Sequence, residues 1–141
     1  MRCMVIVKAT EDSEAGVMPS EQDLSEMGAF NEELVNAGVM LDGGGLHPSQ
    51  KGVRIAYSDD GAKVTDGPFA ETKELIAGYW VWEVASMEEA VEWGRRIPFT
   101  HGEGVEIRPF FEPEDFGESY SEELQERDAA LDAKIKEQRG D

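Results

Sequence analysis

The chain is 141 residues long, one domain in size and long enough for a genuine core. Its composition, 40% hydrophobic and 31% charged, fits a soluble globular protein. The net charge of −18 repels phosphate backbones and anionic lipid surfaces, which excludes nucleic acid and membrane as expected partners. Residues 112–141 hold 11 acidic and 4 basic side chains, a net −7, which leaves −11 on residues 1–111. The acidity is therefore general. No apolar run approaches the roughly 20 residues that span a bilayer. The opening "MRCMVIVKATED" reads as a first strand and not as a signal peptide. Cys3 is the single cysteine, so no intrachain disulfide forms, and a cytoplasmic setting is expected.

In chain order, Arg2–Lys8 alternates, with Cys3, Val5 and Val7 on one face and Met4 and Ile6 on the other. Cys3 reads as a small buried apolar residue. Ser20 is an N-cap candidate, with Glu21 and Asp23 in the first turn and Gly38 placed to end the helix, so a helix is predicted over 20–37. Leu24, Met27, Asn31, Leu34 and Val35 form its expected inward stripe. A strand follows from Val39, interrupted by Gly43–Gly45, where a bulge or a close backbone approach is expected. "GVRIAYS", "DDGAK" and Val64–Thr65 make a hairpin. "GYWVWEV" alternates again, with Trp80, Trp82 and Val84 opposite Tyr79, Val81 and Glu83. Ser86 and Glu89 form a capping-box pattern ahead of a helix whose Met87, Ala90, Val91, Gly94 and Ile97 point inward and which stops before Pro98. "EGVEIRPF" is the last strand of this part. Beyond Pro113 the character changes. An exposed acidic helix is predicted over 119–138, with a thin seam of Tyr120, Leu124, Leu131 and Ile135.

The order is β-α-β, a hairpin insertion, then β-α-β. That predicts an α+β fold of the ferredoxin-like, split βαβ kind, with an antiparallel sheet backed by two helices. Several strands are apolar on both faces, so the uncovered sheet face needs a partner. A second copy packed face to face, forming a homodimeric α+β barrel, meets that need.

"VTDGPFAETKELIAGYWVWEV", "SMEEAVEWGRRIP" and "VEIRPF" closely resemble the DGPF-domain branch of the YCII-related family, and "MRCMVIVKA" and "GGLHPS" are similar to its N-terminal strand and mid-chain segment. The resemblance covers residues 1–111 and leaves residues 112–141 as an acidic helical extension. It implies a dimeric α+β barrel. Some members resemble muconolactone-processing enzymes, and many are encoded beside extracytoplasmic-function sigma factors. The resemblance therefore implies either an enzyme-like pocket or a regulatory role. Proteins of the family are thought to use a His–Asp pair for proton transfer.

The candidate acid/base residues are His47, at a strand end after the glycine triplet, and Asp66, at the centre of "DGPF". Asp66 has a second reading as the cap of its own turn, because Asp-Gly-Pro is turn chemistry at each position. His47 has a second reading as a surface loop residue. Arg54 is the candidate anchor for a substrate carboxylate, bound bidentately. Lys73 would rim the pocket and attract an anionic group, or form a solvated pair with Glu71. Glu83 and Arg108 sit among apolar strand neighbours, where charges need partners. A structural salt bridge between the two at the subunit interface is expected there, or a contribution to substrate binding. His101 reads as a surface residue of a Gly-rich turn. The two histidines share no metal-ligand spacing, "GGG" lacks the Lys-Ser/Thr of a phosphate loop, and no Gly-x-Ser-x-Gly elbow occurs. No metal and no cofactor are expected. The chemistry that remains is cofactor-free proton transfer on a small organic acid, of isomerase or lyase type. The alternative is a non-catalytic small-molecule-binding or regulatory module in an extracytoplasmic-function sigma factor pathway.

Overall fold

The computed structural model describes residues 1–140 apart from His101, and of Lys73 only the backbone. Two compact units follow one another along the chain, Met1–Pro109 and a second that begins at Phe110. The first contains β1 (Arg2–Lys8), a one-turn helix α1 (Glu11–Glu14), α2 (Glu21–Asn36), β2 (Met40–Gly45), β3 (Val53–Ser58), β4 (Gly61–Asp66), β5 (Ile76–Glu83), α3 (Met87–Arg95) and β6 (Val105–Pro109). Four strands form a sheet in the order β2-β5-β1-β6 with every neighbour antiparallel, and β3-β4 stand apart as a hairpin. With the hairpin set aside, the sheet order is that of the ferredoxin-like α+β fold. Each βαβ unit leaves a gap between its two strands, and a strand of the other unit fills it.

Alternation decides which residues of the sheet are buried. Cys3, Val5, Trp80 and Trp82 pair across β1 and β5 on one face, and Phe30 and Leu34 of α2 and Ala90 of α3 close over them in a single core. Phe30 meets Trp80 edge-on at 6.0 Å and Trp93 at 6.4 Å, an arrangement that adds quadrupolar attraction to area burial. The indole N–H of Trp80 donates to Asn31 Oδ1 at 2.9 Å, which explains an amide on the inner stripe of α2. The indole N–H of Trp82 is fully buried without a hydrogen-bond acceptor, an unfavourable feature that the packing around it outweighs. Burial pushes the Cys3 thiol pKa up, as expected for a core cysteine.

Caps set the helix boundaries. Ser20 Oγ accepts from Asp23 N–H, Asp23 returns the bond to Ser20 N–H, and Gly38 ends the helix at φ 73°. The inner stripe of α2 differs from the expected one. Leu24 and Val35 are exposed, and Phe30 takes the central position instead. In α3, Val91 is exposed and Trp93 packs on the core. Ser86 caps α3, but the Glu89 carboxylate accepts from Ala85 N–H, one residue earlier than a capping box requires. The glycine triplet stays inside β2, and the register shift falls ahead of it, between Met40 and Asp42. A Cβ on Gly43 would lie 3.0 Å from Met40 and 3.1 Å from Trp80, so a core indole is what approaches this backbone closely.

The second unit begins with a 3-10 segment, Pro113–Ser119, broken at Gly117, followed by α4 (Glu122–Arg139) with Ser121 as its N-cap. Phe111 stacks on Phe116 at 4.9 Å, and Phe116 meets Tyr120 at 5.4 Å. The Tyr120 phenol donates to Asp128 Oδ2 at 2.6 Å, which ties the entry of α4 to its second turn. No residue of α4 is fully buried within this unit, and Leu131 and Ile135 are exposed. No helix among the described residues is long and apolar enough to cross a membrane.

Candidate functional site

The "DGPF" stretch is the exit of the hairpin. Asp66 is the last residue of β4 and pairs with Val53, and the Gly67–Pro68 peptide bond that follows is cis. Gly67 N–H donates to Gly52 O at 3.0 Å, and Phe69 N–H donates to Ser49 Oγ at 3.1 Å. A Cβ on Gly67 would collide with the Ser49 carbonyl, so only glycine lets the motif close on the 49–52 segment. The motif is a turn that docks a loop.

That docking builds a cleft of about 380 Å³, in the range of small-molecule sites. Its wall includes Glu14, His47, Ser49, Arg54 and Phe69, with Leu75 and Ile76 supplying apolar surface. The Arg54 guanidinium lies 3.9 Å over the Phe69 ring, a cation–π contact that occupies its face and leaves its N–H edge for an anion. Glu71 Oε2 stands 3.7 Å from Arg54 Nη1, with both side chains half exposed, so this internal ion pair is weak. His47 is exposed at the cleft and brings one acceptor and one donor nitrogen in its neutral form. Its neighbour Leu46 is fastened by an N–H bond of 2.8 Å to Ala77 O on β5. Ser49 is fastened to Glu14, its N–H and Oγ–H both donating to that carboxylate, the hydroxyl at 2.7 Å.

The structure thus brings His47 and Arg54 to one cleft. Asp66 is exposed and outside the lining, and its carboxylate makes no side-chain hydrogen bond or ion pair among the described residues. The side chain of Lys73, like His101, lies outside what is described. The expected Glu83–Arg108 pair does not form within the chain. β1 runs between their strands, and each takes another partner, Glu83 the N-terminal ammonium at 3.8 Å and Arg108 the Glu106 carboxylate at 3.9 Å. Neither residue lines the cleft. A larger open depression of about 1010 Å³ holds Glu11, Asp12, Asp23, Glu71, Glu74 and Glu103. Among the described residues no Lys, Arg or His lines it. Sequence reasoning overlooked Glu14, Ser49 and the platform role of Phe69. Ser49 and Phe69 lie inside the quoted motifs, but Glu14 ends a one-turn helix, α1, that no sequence pattern singled out.

Compared with known proteins, the chain is 30% identical over 91 residues to an uncharacterised protein of Rhizobium meliloti (strain 1021), an alignment that covers 63% of this chain and 73% of the relative. Residues 1–113 match the YCII-related domain, which takes in the whole sheet, both covering helices and the cleft. This chain belongs to the YCII-related domain family.

Proposed function

We propose that the cleft binds a small organic acid and moves a proton on it without a cofactor, in an isomerisation, an elimination or a related lyase step. The observation that carries this reading is the shared wall: one imidazole, His47, and one guanidinium, Arg54, meet over an apolar floor. Arg54 anchors the carboxylate, and His47 takes up or delivers the proton at the neighbouring carbon. Asp66 stays outside the cleft in this reading and its carboxylate does not cap the turn, and its alternative role as proton acceptor is testable with the same assay.

The test is a panel of small carboxylic acids, followed by NMR shifts of cleft residues and by solvent deuterium entering the acid. Arg54→Gln is expected to weaken binding roughly tenfold or more, a charge-assisted hydrogen bond being lost. His47→Gln is expected to keep binding and lose about 10²–10⁴-fold in exchange rate, the usual share of a general acid or base. Asp66→Asn is expected to change neither much, and a loss of exchange there would transfer the proton role to Asp66. If no acid in the panel perturbs the cleft, the reading fails.

A second reading rests on the hairpin. Val53, Ile55 and Tyr57 of β3 share a face with Val64 of β4, and all four are exposed, Tyr57 at 81%. A contiguous apolar face of that kind suits a protein partner. It supports a regulatory module, such as one serving an extracytoplasmic-function sigma factor pathway. Tyr57→Asp separates the two readings, because it should abolish partner binding and spare the cleft chemistry. Under both readings we take the chain to be a cytoplasmic homodimer joined through the uncovered face of the sheet.

A further inference from the structure

The contacts between α1 and the motif loop reach beyond the two residues assigned to acid and anion chemistry. Glu14, at the end of α1, accepts the Ser49 N–H at 3.1 and 3.2 Å and the Ser49 Oγ–H at 2.7 Å. The hydroxyl proton is thereby committed to the carboxylate, which turns an Oγ lone pair toward Phe69 N–H at 3.1 Å. Phe69 is the ring beneath Arg54. One hydrogen-bonded chain therefore runs from Glu14 through Ser49 to the platform of the guanidinium. The same serine sits two residues beyond His47, and Leu46 on the other side is held by Ala77. α1 itself is set by the reciprocal Thr10–Ser13 capping box, so Glu14 is presented from a fixed turn.

We infer that Glu14 and Ser49 are a positioning pair for the cleft. They fix the loop that carries His47 and the ring that carries Arg54 in one relative placement, and touch no substrate atom themselves. This rests on the anion-binding reading above. It assigns work to a carboxylate that neither the motif nor the acid/base argument uses. Ser49 is suited to the task because a hydroxyl both donates and accepts. Alanine would break the chain at both ends, whereas threonine keeps it.

The experiment compares wild type with Glu14→Gln, Ser49→Ala and Ser49→Thr in the full-length protein. Benzoate serves as the probe, a carboxylate with an apolar body, and binding is followed by amide NMR shifts. Exchange of the Phe69 amide with solvent deuterium is read on the same samples. Ser49→Ala and Glu14→Gln are expected to weaken benzoate roughly five- to tenfold, the scale of one lost hydrogen bond. Phe69 exchange should quicken by about tenfold in Ser49→Ala, and Ser49→Thr should restore both values to within about twofold. Unchanged benzoate affinity in Ser49→Ala and Glu14→Gln, with only a lower melting temperature, would reduce the pair to general stability and overturn the inference. If benzoate binds none of the four proteins, the anion reading falls, and Phe69 exchange alone then judges the clamp. Faster exchange in Ser49→Ala upholds it, and equal exchange refutes it.

Discussion

At the residue scale the decisive contact is Arg54 over Phe69 with Glu71 beside it. In the proposed site, Glu71 would compete with a bound anion for Arg54. At 3.7 Å between two half-exposed side chains it holds Arg54 weakly, so an incoming carboxylate can displace it. Glu71→Gln is therefore expected to tighten benzoate by about two- to threefold, in line with the small worth of an exposed pair, and calorimetry measures it directly. A weakened affinity would mean that Glu71 orients Arg54 instead of competing for it. The sequence offered Arg54 as a candidate anion anchor, a role that belongs to the proposal above, and placed it in the wrong surroundings. Its place on an apolar strand suggested a buried charge, whereas the hairpin leaves both of its strands exposed and a ring from the motif gives the guanidinium its seat. Glu83 and Arg108 show the converse. Their strands were identified, yet the interposed β1 keeps them from pairing within one chain, and a pair between subunits belongs to the proposed dimer.

At the scale of elements, caps and alternation carried most of the information. Ser20, Gly38 and Ser86 act where their types predict. The inner stripe of α2 was harder, because Leu24, Phe30, Leu34 and Val35 are all apolar and helical spacing alone admits more than one face. Packing on Trp80 and Trp93 chose Phe30. Phe30→Ala should lower the unfolding free energy by about 3–5 kcal/mol in urea, the range for removing a buried aromatic side chain. In the C-terminal unit, donation to Asp128 holds the Tyr120 phenol above its ordinary value. The neutral form is the one stabilised by folding, so this tether is fully present below about pH 10 and is lost as pH rises through the elevated value. Helical content of the extension should hold to about pH 10 and fall above it, and Tyr120→Phe should remove that step in a circular dichroism titration.

For the whole molecule, the two faces of the sheet differ. Cys3, Val5, Trp80 and Trp82 lie under the helices, while Met4, Ile6, Tyr79 and Val81 stand half-buried on the other side. A sheet face of this composition favours a cover of its own kind. Val81→Lys places a charge at its centre and is expected to turn a dimer into a monomer by sedimentation, with the helix-side core intact. A wild-type protein that sediments as a monomer at all concentrations would remove the barrel from the proposal. The net charge of −18 bears on partners and not on topology, since a field of that size disfavours anionic macromolecules whatever the fold.

By itself the sequence determined the kinds and order of the strands and longer helices, the α+β class and the role of "DGPF" as a turn. Each of these is written in local signals: a two-residue or 3.6-residue period, a capping side chain, a Gly-Pro step. Only the tertiary structure decided which side chains meet. Glu14 and Ser49 are 35 residues apart, Trp80 and Asn31 are 49 apart, and nothing in either segment names its partner. A period fixes which face a residue lies on. Contact across elements depends on strand order, register and the rotation of one element on another, and these are set by the packing of the whole core.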